Sequence, residues 1–237
     1  AYDRLQRYDD AFAAFSRGNQ VMEKQVAGAD ALSAFLQAWT TLVTPDWISR
    51  WQPVASDGSD PVFLVGFPRS GTTLLEQGLD AHPLLSALEE QPALDRALEQ
   101  YQRLAQRRPD VQHAVAGAVA LPDKLAQVLQ ALATLDDGEV AELRRVYFAV
   151  VQAAITVRPG SRLVDKMPLN LIHLPFIMRL FPDARFLVAL RDPADCVFSG
   201  FMQHFGSNPA MNRLTSLEQG AAFYAEVMAL LQQYRQV

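Results

Sequence analysis

The chain has 237 residues, of which half are hydrophobic and 20% are charged, and its formal net charge is −5 at pH 7. This length suits one large domain with a small appendage, and the composition excludes a disordered or collagen-like chain. The negative charge argues against nucleic-acid binding, and no apolar run approaches the roughly 20 residues of a membrane span. The single cysteine, Cys196, can form neither an intrachain disulfide nor a zinc site. We therefore expect a soluble, cytoplasmic protein.

The N-terminal segment, residues 1–52, is predicted to be helical. Apolar residues recur at spacings of three and four from Leu5 to Phe15 and again from Ala31 to Trp39, which is the period of an amphipathic helix. Gly18-Asn19 is predicted to break this pattern. The stretch from Tyr2 to Asn19 resembles the later part of a tetratricopeptide unit, and an ordinary helical hairpin is the alternative.

A linker is predicted from Pro53 to Pro61, where Pro, Ser, Asp and Gly cluster. It divides the helical segment, 1–52, from an α/β domain, 53–237. Short apolar runs predict the strands of that domain, Val62–Val65, Arg162–Val164 and Arg185–Leu190. Helices are predicted in several pieces from Pro92 to Val157, and then over Leu169–Leu180, Ala194–Phe205 and Ser216–Tyr234. Strands that alternate with helices indicate a parallel sheet flanked by helices.

The stretch Gly66–Thr73, GFPRSGTT, lies between a predicted strand and a helix that begins near Gly71. Its successive amides, with a helix N-terminus behind them, form a nest for a phosphate group. Further donors are the hydroxyls of Ser70, Thr72 and Thr73 and the guanidinium of Arg69. The two glycines are spaced as in a nucleotide P-loop, but Thr72 stands where that loop has its lysine. The loop therefore suits a diphosphate-like group held without a chelated metal.

Two other interpretations of this loop stay open. A glycine turn could simply enter a helix capped by Thr73 and Glu76 as a capping box. A P-loop kinase or NTPase is also an alternative, although it would prefer a loop lysine and a carboxylate for magnesium. Magnesium-dependent turnover of ATP would favour that alternative.

The segment Pro68–Pro83, PRSGTTLLEQGLDAHP, resembles the 5′-phosphosulfate loop of the sulfotransferase family, and most closely its tyrosylprotein sulfotransferase-like branch. The segment Arg191–Ser199, RDPADCVFS, resembles the turn with which this family holds a 3′-phosphate. The resemblance implies a P-loop-type fold and the donor 3′-phosphoadenosine 5′-phosphosulfate (PAPS), which leaves adenosine 3′,5′-bisphosphate and needs no metal. It implies the cofactor-binding residues Arg69, Ser70, Gly71, Thr72, Thr73, Arg191 and Ser199. A turn tied only by Arg191 and Asp192 or Asp195 is the alternative.

The resemblance also implies the catalytic residues. Lys166, at the end of a predicted strand, matches the lysine that reaches the oxygen between sulfur and phosphorus, and Arg69 serves the same group. A surface lysine paired with Asp165 is the alternative. Sulfuryl transfer also needs a base. The glutamate of the tyrosylprotein-like branch matches Glu90, with Glu89 as its neighbour and rival; a solvated glutamate pair at a helix start is the alternative.

The histidines and methionines are assigned no catalytic role. We expect His82 to stabilise a turn, and His173 to be a core residue with its hydrogen bonds satisfied. The phenylalanines and Met167, Met178 and Met202 are expected to pack the core.

The acceptor is predicted only as a hydroxyl on a protein tyrosine, a glycan, a lipid or a small molecule. The resemblance covers residues 62–237 and stops before a further core strand of the family, so the α/β domain is expected to lack its C-terminal part. Homodimers are common among such enzymes, so a homodimer is one expectation. A non-catalytic helical-repeat binding module is a second alternative, and it predicts partner binding without binding of the bisphosphate.

Overall fold

A computed structural model describes residues 2–23, 29–56, 58–109, 111–112 and 121–237. Its sheet has four parallel strands, which are β1 Val62–Gly66, β2 Leu85–Glu89, β3 Arg162–Lys166 and β4 Arg185–Ala189. Their order across the sheet is β2-β3-β1-β4. Glu89 pairs with Lys166 and Gly66 pairs with Ala189, so the carboxyl ends of all four strands meet at one edge. The predicted P-loop-type α/β fold, a parallel sheet flanked by helices, is confirmed.

The helices are α1 Tyr8–Glu23, α2 Ala29–Leu42, α3 Pro45–Ser49, α4 Thr72–Asp80, α5 Ala93–Ala105, α6 Leu121–Gln130, α7 Asp137–Ala154, α8 Leu174–Leu180, α9 Pro193–Phe201, α10 Pro209–Asn212 and α11 Leu217–Tyr234. Short 3₁₀ turns cover Asp3–Leu5, Ala131–Thr134, Pro168–His173 and Arg213–Thr215. The helix predicted over 169–180 is divided, because α8 begins afresh with Pro175 in its first turn. Part of the helical stretch predicted after Pro92, residues 113–120 with His113, lies outside the described residues.

Strand β2 is the element that the sequence analysis missed. Its sequence, LSALE, has none of the β-branched or aromatic residues that favour strands, and only alternate residues are buried. Tertiary contacts hold it in place: it pairs with β3, Ser86 Oγ lies 2.7 Å from Ser161 Oγ, and the Ala87 amide donates to Asp80. The glutamate pair therefore lies at the end of a strand, and the interpretation of a helix start is wrong.

The predicted break at Gly18-Asn19 is also wrong, because both residues lie inside α1. One glycine in a helix costs only about 1 kcal/mol, and contacts with α9 offset this. The Asn19 side chain donates to the Phe201 carbonyl at 2.9 Å, and the Phe12 ring stacks on the Phe201 ring with centroids 5.6 Å apart. The N-terminal segment therefore packs on the α/β domain.

Apolar side chains cover both faces of the sheet, but unequally. One face carries the main core, to which β1 contributes Phe63 and α2 contributes Trp39. The other face carries a small cluster, with Leu64 of β1 and Leu79 of α4. Because successive residues of a strand point to opposite faces, each strand supplies both layers. The helices before the linker share the main core with the α/β domain. The predicted domain boundary at the linker stays a prediction.

Candidate active site

The loop between β1 and α4 leaves amide groups free at the carboxyl edge of the sheet. A Cβ atom at Gly66 would lie 2.7 Å from the Ala189 carbonyl oxygen and 2.7 Å from Ser70 Oγ, so the tight turn requires glycine. Gly71, at φ +94°, is the N-cap residue of α4, and no described side chain caps this helix. The amides of Thr72 and Thr73 thus lack main-chain acceptors within the described residues, whereas the next amide, of Leu74, donates to the Gly71 carbonyl. Free amides at a helix N-terminus are the arrangement that binds anions.

The capping box considered for this helix is therefore wrong. The helix starts two residues earlier than a cap at Thr73 requires, and Gly71 takes the N-cap position. As a result the Glu76 side chain does not return to the helix start. It is buried against the sheet, where it faces Lys166.

The second predicted loop lies beside the first. Arg69 Nε donates to Ser199 Oγ at 3.0 Å, and Arg191 Nη1 donates to the Arg69 carbonyl at 3.3 Å. Arg69 has a left-handed backbone, at φ +70°, which is uncommon for a residue with a side chain and often marks a functional site. Because α9 begins directly after this loop, with Asp192 as its N-cap residue, a second helix N-terminus points to the same edge of the sheet.

Arg191 also pairs with Asp195, as the alternative interpretation of this turn proposed. The two side chains are 3.2 Å apart and about half exposed. An exposed ion pair of this kind contributes little, of order 0–1 kcal/mol. The pair therefore does not prevent Arg191 from binding a phosphate.

Lys166 is the most enclosed cation of the site. It has no exposed surface, and its Nζ lies 2.8 Å from Glu90 Oε1, 3.4 Å from Glu76 Oε2 and 3.5 Å from Glu89 Oε1. The neighbouring Asp165 points to the opposite face of the sheet, where it accepts a hydrogen bond from Tyr147. The interpretation of Lys166 as a surface residue paired with Asp165 is therefore wrong.

The carboxylates keep Lys166 charged. Burial alone would lower the pKa of Lys166, but the hydrogen bond and charge of Glu90, together with the charges of Glu76 and Glu89, raise it. Conversely, burial raises the pKa of Glu76, against the opposing effect of Lys166. The site thus holds an ammonium group in an enclosed position.

Of the two candidate bases, Glu90 lies in the better position to take a proton from a group in the cavity. It makes the shortest contact with Lys166 and lines the cavity, whereas Glu89 does not line it. Its backbone is left-handed, at φ +42°, and its amide donates to the Lys166 carbonyl at 2.9 Å. The catalytic roles of Glu90 and Lys166 stay predictions.

These residues surround a cavity of about 1080 Å³. The predicted residues that line it are Arg69, Gly71, Thr72, Thr73, Glu90 and Arg191. Ser70, Ser199 and Lys166 lie behind this lining, and the buried Ser70 Oγ has no hydrogen-bond partner in the described part of the chain. The structure therefore brings all the predicted site residues to one place.

Other residues that line the cavity were given no site role by the sequence analysis. Among them are Met167 and Phe205, which were expected to pack the core, and Met211. Phe205 and Met211 also pack against the main core. The position of Met167 directly after Lys166 could have indicated that it lies at the site. The other two follow α9 in a stretch without a recognisable pattern, so only the fold could bring them here.

The histidine predictions have mixed outcomes. His82 Nδ1 accepts from the Leu84 amide at 3.2 Å, a turn contact of the kind expected. His173 is half-buried, packs against the Phe35 ring and lines the cavity. Its buried Nδ1 has no partner among the described residues, so the prediction of satisfied hydrogen bonds is wrong. Burial lowers the pKa of His173 to about 4, so this imidazole is neutral at pH 7.

Metal-binding clusters and membrane-spanning helices are both absent from the described residues. No group of His, Cys, Asp and Glu there could hold a metal ion. No helix there is long and apolar enough to cross a membrane. Independence of metal stays a prediction about the reaction.

The fold and the site define an α/β protein in which two loops bring arginines and helix N-termini to one edge of a parallel sheet. The chain belongs to the sulfotransferase family, whose profile matches residues 61–237. The family prediction is thereby confirmed, and the chain is classed with the sulfotransferase enzymes.

Individual relatives cover part of the chain. Nodulation protein NoeE of Sinorhizobium fredii is 36% identical over 55% of this chain and 28% of its own length. Human protein-tyrosine sulfotransferase 1 is 31% identical over 58% of this chain and 33% of its own length. The crystal structure of sulfotransferase STF9 from Mycobacterium avium matches with a TM-score of 0.40 and 18% identity, over 87% of this chain and 63% of that one. The chain spans a third or less of the length of these two curated relatives.

Proposed function

We propose that this protein transfers a sulfuryl group from PAPS to an acceptor hydroxyl. The observation that carries the proposal is the meeting of two anion-binding loops at one cavity, where Arg69 Nε donates to Ser199 Oγ at 3.0 Å. Each loop joins the carboxyl end of a strand to a helix N-terminus, which is where α/β sheets bind anionic ligands.

The donor set fits PAPS, which carries one phosphate at the 3′ position and a phosphosulfate at the 5′ position. The first loop would hold the phosphosulfate with Arg69, the amides of α4 and the hydroxyls of Ser70, Thr72 and Thr73. The second would hold the 3′-phosphate with Arg191 and Ser199. The unpartnered, buried Ser70 Oγ supports this assignment, because a buried hydroxyl is normally hydrogen-bonded.

The protein's own residues then have distinct tasks. PAPS, when bound, supplies a sulfur atom whose bond to the 5′-phosphate oxygen breaks as the acceptor oxygen bonds to it. Glu90 takes the proton of the acceptor hydroxyl. Lys166 neutralises the phosphate oxygen that keeps the electron pair, and Arg69 and the amides of α4 hold that group in place.

For the acceptor, we propose a phenolic hydroxyl, such as that of a tyrosine in a protein. Besides the phosphate-binding loops, the cavity lining contains the apolar side chains of Met167, Phe205 and Met211, among polar ones such as Asn170 and Asn208. A phenol pairs an apolar ring with a polar tip, so the ring suits these apolar side chains and the hydroxyl remains available to Glu90. The relative named protein-tyrosine sulfotransferase 1 is consistent with this choice.

Calorimetric titration with adenosine 3′,5′-bisphosphate tests the donor assignment. We expect binding without magnesium, and we expect Arg191→Ala to weaken it about ten- to a hundredfold through loss of charge-assisted hydrogen bonds. Arg96→Ala is the matched control, because Arg96 is a similarly exposed arginine in an ion pair on α5.

Each contrary result has a distinct meaning. A preference for ATP with magnesium would replace the proposal with a P-loop kinase or NTPase. Absence of bisphosphate binding would replace it with the helical-repeat binding module.

A further inference from the structure

We propose that Glu76 is a positioning residue for Lys166, which it holds beneath the phosphate-binding loop while Glu90 receives the acceptor proton. This inference rests on the proposed function, because it assigns to Glu76 a task in the same transfer step. It gives a role to a buried charged residue that the sequence analysis considered only as part of a helix cap.

The position of Glu76 ties the lysine to the loop. Thr72 and Glu76 are the two buried residues of α4, and as an i, i+4 pair they lie on one face of the helix. Thr72 borders the cavity in the first turn of α4, and Glu76 reaches Lys166 one turn later. One short helix therefore connects the anion-binding amides with the cation of the site.

The three carboxylates around Lys166 are not equivalent. Glu89 and Glu90 follow one another at the end of β2, and their side chains are 64% and 52% exposed. The Glu76 side chain is only 10% exposed, and water therefore screens its charge least. Its Oε2 makes no hydrogen bond within the described residues, so the 3.4 Å ion contact with Nζ is the main compensation for its burial.

The chemistry requires a counter-ion that stays. When Glu90 takes a proton it becomes neutral, and Lys166 loses its nearest opposite charge. A buried ammonium without a counter-ion tends to give up its proton. Glu76 prevents this loss of the proton, because its buried negative charge stays beside Nζ. Its longer contact also leaves Nζ hydrogens free to turn toward the leaving phosphate oxygen. Glu76, Glu89 and Glu90 are the charged groups that face Lys166 from the elements packed against it.

The direct test is titration of the Lys166 side chain by NMR on protein labelled with ¹³C at lysine Cε. The chain has only three lysines, Lys24, Lys124 and Lys166, so a Lys166→Arg variant assigns the signal. In Glu76→Gln, we expect the Lys166 midpoint to fall by about one pH unit, since one close counter-charge is lost. Glu89→Gln is the matched control, because it removes an exposed carboxylate at nearly the same distance, and we expect a much smaller shift.

Kinetics supply a second readout, with PAPS as donor and a tyrosine-containing peptide as acceptor. Glu76→Gln should lower kcat about tenfold with little change in the donor KM, and the deficit should grow as the pH rises from 7 to 9. A purely structural defect would lower activity equally at each pH. Glu76→Asp, which keeps the charge, should recover part of the lost rate and most of the Lys166 midpoint.

The outcomes separate this inference from the proposed function. An unchanged Lys166 midpoint in Glu76→Gln, or an equal shift in Glu89→Gln, would overturn the role of Glu76. If the wild-type protein transfers no sulfuryl group to any hydroxyl acceptor, the proposed function fails, and the task of Glu76 in the transfer fails with it. The lysine titration still decides whether Glu76 holds the charge of Lys166.

Discussion

Asp165 and Lys166 are consecutive residues of β3, and neither is measurably exposed. They lie on opposite faces of the strand, and the side chains around them differ. Lys166 faces α4 and the end of β2, where three carboxylates lie within 4 Å. Asp165 faces the main core, where Tyr147 Oη donates to its Oδ2 at 2.8 Å and its Oδ1 has no partner among the described residues. One face supplies opposite charges, and the other supplies a single neutral donor.

The difference shows two ways to bury an ionisable group. The Lys166 charge is kept, because its carboxylate partners outweigh the effect of burial on its pKa. The Asp165 charge is suppressed below about pH 7, because burial raises the pKa of Asp165 to about 7 against the opposing effect of the Tyr147 hydrogen bond. A charged group suits a site that binds ligands, whereas a neutral one suits a core.

The largest effect is expected at Lys166. In the proposed function, Lys166→Met removes the cation that neutralises the leaving group, and kcat should fall about a thousandfold, which corresponds to about 4 kcal/mol. Binding of adenosine 3′,5′-bisphosphate, measured by calorimetry, should change far less. Lys124→Met, on α6, is the control and should leave both values unchanged; turnover by Lys166→Met at the wild-type rate would remove the lysine from the mechanism.

Asp165→Asn should change how stability depends on pH. In the unfolded chain this carboxyl loses its proton near pH 3.8, but in the folded protein it keeps the proton up to about pH 7. Folding therefore loses stability between these two pH values, because the unfolded state releases the proton first. The variant lacks this loss, so its stability relative to wild type should rise by about 2–4 kcal/mol from pH 4 to pH 8.

Denaturant unfolding at a series of pH values measures this difference, and the other titrating groups cancel between the two proteins. A difference that is the same at every pH would show that Asp165 ionises normally. The kcat of Asp165→Asn should stay close to that of wild type, because the side chain points away from the cavity.

A smaller effect is expected at Tyr147, the hydrogen-bond donor to Asp165. Tyr147→Phe leaves both carboxyl oxygens without this donor and should lower the free energy of unfolding by about 1–2 kcal/mol. The pH range in which stability is lost should also move upward, since the hydrogen bond lowers the pKa of Asp165. Thermal unfolding at two pH values checks both points. In the Asp165→Asn background, the pH dependence of the Tyr147→Phe effect should disappear.

Local sequence patterns were sufficient for most of the fold. Strand β1 is recognisable because its residues form one buried apolar run, and α11 begins where Ser216 caps it, as its pattern predicts. Strand β2 could not be recognised, because its conformation depends on pairing with β3 and on hydrogen bonds from distant residues. The failed break at Gly18-Asn19 has a similar cause, namely packing of α1 on α9.

The sequence by itself determined which residues form the two loops that we propose to bind anions. The glycines, Arg69 and the hydroxyls lie within one loop, and Arg191 and Ser199 lie across one turn, so their spacing along the chain already fixes their local geometry. Only the tertiary structure decided the surroundings of Lys166, because Glu76, Glu89 and Glu90 are brought to it by the packing of α4 and by strand pairing. The physical reason is that the charge of a buried group depends on distances and exposure across the fold, which no spacing along the chain determines.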